Sequence, residues 1–199
     1  LLPLSSVSIN VFLRQIYCNI MDLNQLTAIS PIDGRYRKQL QHLGEYYSEY
    51  ALIKYRVIVE IEYFLFLAEK KFFKVDAKTK QQLLKKANEF SLADAAVIKQ
   101  TEAITNHDVK AVEYSIKQVL DESNAGHLKE WVHFGLTSQD INNTAIPLLW
   151  KNSIELEYLP AVINLQHTIG KLAVAWKDIP MLARTHGQPA SPTRLGKEM

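Results

Sequence analysis

EYYSEYALIKYRVIVEIEYFLFLAEKKFFKVDAKTKQQLLKKANEFSLADAAVIKQTEAITNHDVKAVEYSIKQVLDESNA, residues 45–125, contains neither glycine nor proline. A sandwich or barrel needs turn residues every 8–12 positions or so, and none are supplied here. The stretch therefore predicts long helices. Its internal spacing agrees. Val109, Val112, Ile116 and Val119 recur at helical intervals, and Ser91 with Asp94 three residues on reads as a capping box. Helices are expected over roughly 42–71, 76–90, 91–105 and from Asn106 or Asp108 onward, followed by a short one near 127–134.

Outside this stretch the pattern continues. Thr137 with Asp140 is a second capping box, opening a stripe that runs Ile141, Ala145, Leu148, Asn152, Leu156, Leu159, Ile163, Gln166, Gly170, Val174. Steps of three and four over that distance are bundle spacing. Pro147 and Pro160 are expected to kink or interrupt it. The turn-rich segment 31–38 reads as a loop. The fold expected is all-α: an N-terminal helical domain over 21–126, then the beginning of a long-helix bundle over 127–199.

Composition excludes several classes. The formal net charge is +2, too balanced for a nucleic-acid arm or an acidic tail. The seven glycines and seven prolines fall well below the average usage of about 12% together. Cys18 is the only cysteine, so no intramolecular disulfide forms, and a reducing, cytoplasmic compartment is expected. No apolar run approaches the roughly 18 residues of a membrane span. Residues 1–20 lack a basic start and an uninterrupted apolar stretch, so Met21 is expected as the native start. Met199 falls where TRLGKEM reads as the opening of a helix, which suggests a fragment.

Four segments place polar or titratable groups at loop–helix junctions. Ile32–Tyr36 holds Arg35, one of only six arginines against 17 lysines, with a fork suited to carboxylate or phosphate. The plain alternative is a surface turn. In Thr105–Lys110, His107 stands at a helix start, where anions bind, and Asp108 beside it can orient the imidazole. The alternative is a capping residue beside an incidental histidine. Trp131–Asp140 sets His133, a glycine turn, then the hydroxyls of Thr137 and Ser138, which also reads as a simple cap. Arg184–Thr193 holds His186 between glycine and prolines in a rigid loop, suited to acid–base work. The six histidines show no HxxxH or HxH pairing, so no metal site is expected.

Together, NHDVKAVEY, HFGLTSQDINN, RTHGQPASPT and the opening LTAISPIDGRY resemble the adenylosuccinate lyases of the fumarase/aspartase superfamily, from about Leu23 to Met199. The resemblance implies β-elimination of fumarate from adenylosuccinate, giving AMP, and from the succinyl-aminoimidazole carboxamide ribotide of purine biosynthesis. It implies no cofactor, a purine nucleotide substrate, and a homotetramer whose active sites are each built from three subunits. Carried over by position, His186 matches the general acid and His107 a histidine that binds and assists. His133 matches one near the substrate phosphate. Arg35, Tyr36, Asn106, Asp108, Thr137, Ser138, Thr185 and Gln188 match substrate contacts. The family's base is a serine on a mobile loop downstream; Ser138 and Ser191 do not match it, so residues 1–199 alone are expected to be inactive. The rival expectations are another lyase of the superfamily, or a non-catalytic helical module.

Overall fold

The computed structural model describes residues 22–31 and 33–199, so the leader and Cys18 lie outside the described residues. Nine α-helices and one hairpin are present among them. They are α1 (Asp33–Leu40), α2 (Gly44–Tyr47), α3 (Glu49–Glu69), α4 (Ala77–Asn88), α5 (Leu92–Thr105), α6 (Asp108–Glu122), α7 (Ser138–Ser153), α8 (Leu159–Ala175), β1 (Pro180–Thr185), β2 (Gln188–Arg194) and α9 (Leu195–Glu198). Among these residues no helix is long and apolar enough to cross a membrane.

The core is built around α3. Ile53, Val57, Ile61 and Phe64 repeat at steps of four and three and are 0–1% exposed. Leu83 of α4, Ile98 of α5, and Ile116 and Leu120 of α6 close over them. Each such side chain contributes about 1.5–3 kcal/mol by leaving water. A second cluster, Tyr46, Ala51, Tyr55, Ala145 and Leu149, seats α7 against α2 and α3. The expected stripe of α6 is the buried face, with Val119 at its edge.

Helix starts follow the expected caps. The Ser91 hydroxyl accepts from Asp94 N–H at 3.2 Å, and Asp94 accepts from Ser91 N–H at 2.8 Å. Ser91→Ala is expected to lower stability by about 1 kcal/mol in urea unfolding, since both partners of one cap are disturbed. The single helix expected over 42–71 is instead divided at Ser48. That residue is extended (ψ 165°) and caps α3 by accepting from Ala51 N–H at 3.2 Å.

Three further expectations are corrected. Residues 31–38 form no simple loop, because α1 begins at Asp33. The buried Asp33 carboxylate accepts from Ile29 and Ser30 N–H at 2.5 and 2.7 Å, and from Arg37 at 2.9 Å, and so organises a turn into a helix start. The short helix near 127–134 is a 3₁₀ segment, Gly126–Trp131. Within the otherwise all-α fold, the segment around His186 is an antiparallel hairpin in which Thr185 pairs with Gln188 and Pro180 with Arg194.

α7 and α8 run on as one rod. Pro147 sits inside α7 without ending it. Pro160 lacks the N–H that would close the preceding turn, and the chain widens to a π turn over Ile154–Tyr158 just before it. The first part of the long stripe is packed, with Ile141 and Ala145 buried. Its second part is bare: Leu156, Leu159, Ile163 and Val174 are 44–68% exposed. α9 packs on the end of α8, where Gly196 N–H donates to Trp176 C=O at 3.0 Å. Gly196 is so close to the Ala173 carbonyl that a Cβ there would lie 2.2 Å from its oxygen.

Candidate active site

Two helix starts meet beside α3. α6 begins at His107, its N-cap, and α7 begins after Thr137. His107 Nδ1 accepts from Lys110 N–H at 3.2 Å. In the neutral ring the hydrogen therefore sits on Nε2, which faces Ser138 Oγ at 3.4 Å. Ser138 is the first residue of α7, so one hydroxyl and one imidazole share the mouth between two positive helix ends. The Asp140 carboxylate accepts from Thr137 N–H at 2.7 Å and from its hydroxyl at 3.0 Å. These bonds to Thr137, the N–H first, hold Asp140 below the usual carboxylate range.

Asp108 Oδ1 lies 3.7 Å from His107 Nδ1, beside the Lys110 N–H that the ring accepts from. Its Oδ2 reaches Arg56 of α3 at 2.7 Å, and it accepts from Val109 N–H at 2.8 Å. Burial works against its charge, but the Val109 N–H and Arg56 outweigh it and hold the carboxyl below its ordinary range. Arg56 also donates from Nε to Asn142 Oδ1 of α7 at 2.9 Å. One buried guanidinium therefore ties α3, α6 and α7 together behind the His107–Ser138 contact. Asn106 stands at φ 50°, ending α5 in the left-handed region that asparagine tolerates. A polar hollow of about 590 Å³, lined by Lys99, Glu102, Asn106, His107 and Asp108, opens beside it.

His133 lies on the other side of the α7 start. Its backbone is left-handed (φ 62°), within the turn that Gly135 (φ 72°) completes. Nδ1 is 2.5 Å from Glu60 Oε1 of α3. Glu60 is fully buried, and burial pushes its carboxyl above the usual range, against the pull of His133.

Arg35 and Tyr36 lie on the exposed face of α1, the guanidinium 5.3 Å from the Tyr36 ring centre. Among the described residues no contact joins them to His107. Thr185, His186 and Gln188 lie at the hairpin tip, all exposed. The α7–α8 rod, residues 138–175, is about 55 Å long at 1.5 Å per residue. The seven-residue strand of the hairpin spans only about 23 Å. His186 lies beyond the far end of this rod, and among the described residues no hydrogen bond or ion pair joins it to His107. The structure unites His107, Asp108, Ser138 and their supports, but not His186.

A family model described as lyase matches residues 34–199. The chain belongs to this lyase family. Adenylosuccinate lyase of Dictyostelium discoideum is 52% identical over 187 residues, covering 90% of this chain and 40% of that protein. Those of Vibrio cholerae and Escherichia coli K12 are 46% and 44% identical over 186 residues, with the same coverage. The chain thus spans about 40% of the length of these curated relatives. Among solved structures, a fumarate lyase from Mesorhizobium sp. BNC1 aligns with TM-score 0.62 at 21% identity, over 79% of this chain and 35% of that one. The β-carboxy-cis,cis-muconate cycloisomerase of Acinetobacter calcoaceticus sp. ADP1 aligns with TM-score 0.58 at 20% identity, over 79% and 36%. These two matches show the lyase family's helical fold.

Arg56, Glu60 and Asn142 hold the site together and are not singled out by the sequence reading. Glu60 had a readable signal. It occupies a core position of the α3 stripe, between Val57 and Phe64, where a charge needs a partner.

Proposed function

We propose that the chain is the N-terminal part of an adenylosuccinate lyase, which releases fumarate by β-elimination from adenylosuccinate and from the succinyl-aminoimidazole carboxamide ribotide. The observation that carries this reading is the His107–Ser138 contact at two converging helix starts, in the motifs that resemble that enzyme. A substrate with two carboxylates and a phosphate needs such donors, and preorganised donors also hold the charge that develops beside a carboxylate.

In this reading His107 binds and assists, His133 meets the phosphate, and His186 protonates the departing nitrogen. Arg35, Tyr36, Asn106, Asp108, Thr137, Ser138, Thr185 and Gln188 line the substrate. The base is supplied by a serine from another part of the enzyme. In this reading, as the resemblance implies, each complete site takes its groups from different copies in a homotetramer. The exposed apolar stripe of Leu156, Leu159, Ile163 and Val174 supports burial against further helices of the complete enzyme. The chain is divided at about residue 126 into a helical domain and the start of the bundle, and the enzyme is cytoplasmic.

Fumarate release by the full-length enzyme tests the reading. AMP is expected to compete with the substrate. Turnover of argininosuccinate or aspartate, unaffected by AMP, would assign the chain to a sibling lyase. Residues 1–199 by themselves are expected to release no fumarate.

A further inference from the structure

Three carboxylates are buried among the described residues. Asp33 is paired with Arg37, and Glu113 with Lys110 at 2.8 Å and Lys117 at 3.9 Å. Glu60 has only His133. Its Oε1 lies 2.5 Å from the imidazole Nδ1, while its Oε2 is buried and meets no donor. A fully ionised carboxylate in that seat would leave one buried oxygen without a donor, among the costliest arrangements a core can hold. Burial accordingly pushes the Glu60 carboxyl upward, with the His133 contact opposing. The other titratable groups facing the pair are Glu113 and Lys110 from α6 and Asp140 from the start of α7.

The opposite edge of the ring is different. Among the described residues His133 Nε2 makes no hydrogen bond, and the side chain keeps 13% exposure. The left-handed backbone at His133 and the Gly135 turn fix where the ring starts, and Glu60 fixes which way it faces.

We propose that Glu60 and His133 hold one proton between Oε1 and Nδ1, which leaves Nε2–H as an outward donor for a substrate oxyanion. The proton count is the same whichever partner owns the shared proton: Nε2 keeps its own hydrogen. His133 is then a hydrogen-bond donor and not a base, and Glu60 is its positioning residue. A carboxylic acid kept neutral by an apolar seat is able to donate in this way. Naming the oxyanion as a phosphate monoester rests on the lyase reading above; the protonation pattern does not.

Nitrogen-15 spectra of the histidine-labelled chain test the pattern directly. At neutral pH, His133 Nε2 is expected to give the signature of a proton-bearing nitrogen. Glu60→Met, of similar length and without polar atoms, is expected to move the Nδ1 resonance. A bare Nε2 in the wild type, or an Nδ1 resonance unmoved by Glu60→Met, overturns the proposal. Since nothing is turned over, failure of the catalytic reading leaves these spectra unaffected. In the full-length enzyme, Glu60→Met is expected to raise KM for the nucleotide about tenfold with kcat little changed. Glu60→Gln, whose amide N–H replaces the acid as donor to Nδ1, is expected to restore most of it. Equal losses in both variants overturn the donor role.

Discussion

Replacing His186 by asparagine in the full-length enzyme is expected to cut turnover by at least about a hundredfold, the ordinary value of a positioned general acid. The choice of asparagine follows from the backbone. His186 (φ 54°) and Gly187 (φ 77°) are both left-handed, the pair of conformations a two-residue hairpin turn requires. Asparagine accepts that region and keeps the turn, whereas alanine there adds strain of about 1–2 kcal/mol. The residue is exposed and, among the described residues, its imidazole makes no hydrogen bond or ion pair, so the variant removes chemistry and not structure. Normal assembly with lost fumarate release is the expected pair of results. Turnover within a few-fold of wild type would remove His186 from the role of acid. His186→Ala is expected to lose as much, with some loss of hairpin order added.

The placement of His186 also explains what was legible in the sequence. Helices were readable because their information is local. The missing glycines and prolines of residues 45–125, the Ser91–Asp94 and Thr137–Asp140 pairs and the α6 stripe each lie within a few residues of what they specify. The hairpin was less readable. RTHGQPASPT has the turn glycine but also two prolines, and Pro189 and Pro192 are tolerated because β1 and β2 are both edge strands. α1 was hidden because its start depends on one buried carboxylate, Asp33, accepting from two backbone N–H groups behind it.

The candidate site divides in the same way. Motif histidines were visible one at a time, while the groups that hold them come from α3, far away in sequence. Arg56 reaches Asp108 and Asn142, and Glu60 reaches His133, across separations that no spacing rule reads. The apolar stripe beyond Asn152 is helical as its spacing predicts, but exposed. Among the described residues that stripe has nothing to face.

Asp108→Ala is expected to destabilise the chain by about 2–3 kcal/mol. Breaking a buried ion pair commonly costs about 3–5 kcal/mol, because the remaining charge is left unpaired. Here the stranded group is Arg56, whose side chain is only 7% exposed, and Asn142 still accepts one of its hydrogens. The partial exposure of Asp108 places the loss at or below the lower end of that range. The pH dependence identifies the cause. The folded state holds the Asp108 carboxyl below its unfolded value of about 3.9, so its contribution is complete above that pH and is lost as pH falls through the lower, folded value. Urea unfolding of wild type and variant at pH 7 and near pH 3 is expected to show a wide gap in stability at the first and a narrower one at the second. A gap of equal size at both would assign the loss to the shape of the α6 start and not to the ion pair. Because Arg56 sets α6 and α7 against α3, the same variant is also expected to loosen the His107–Ser138 contact, read as greater solvent exchange at the α6 N-terminus.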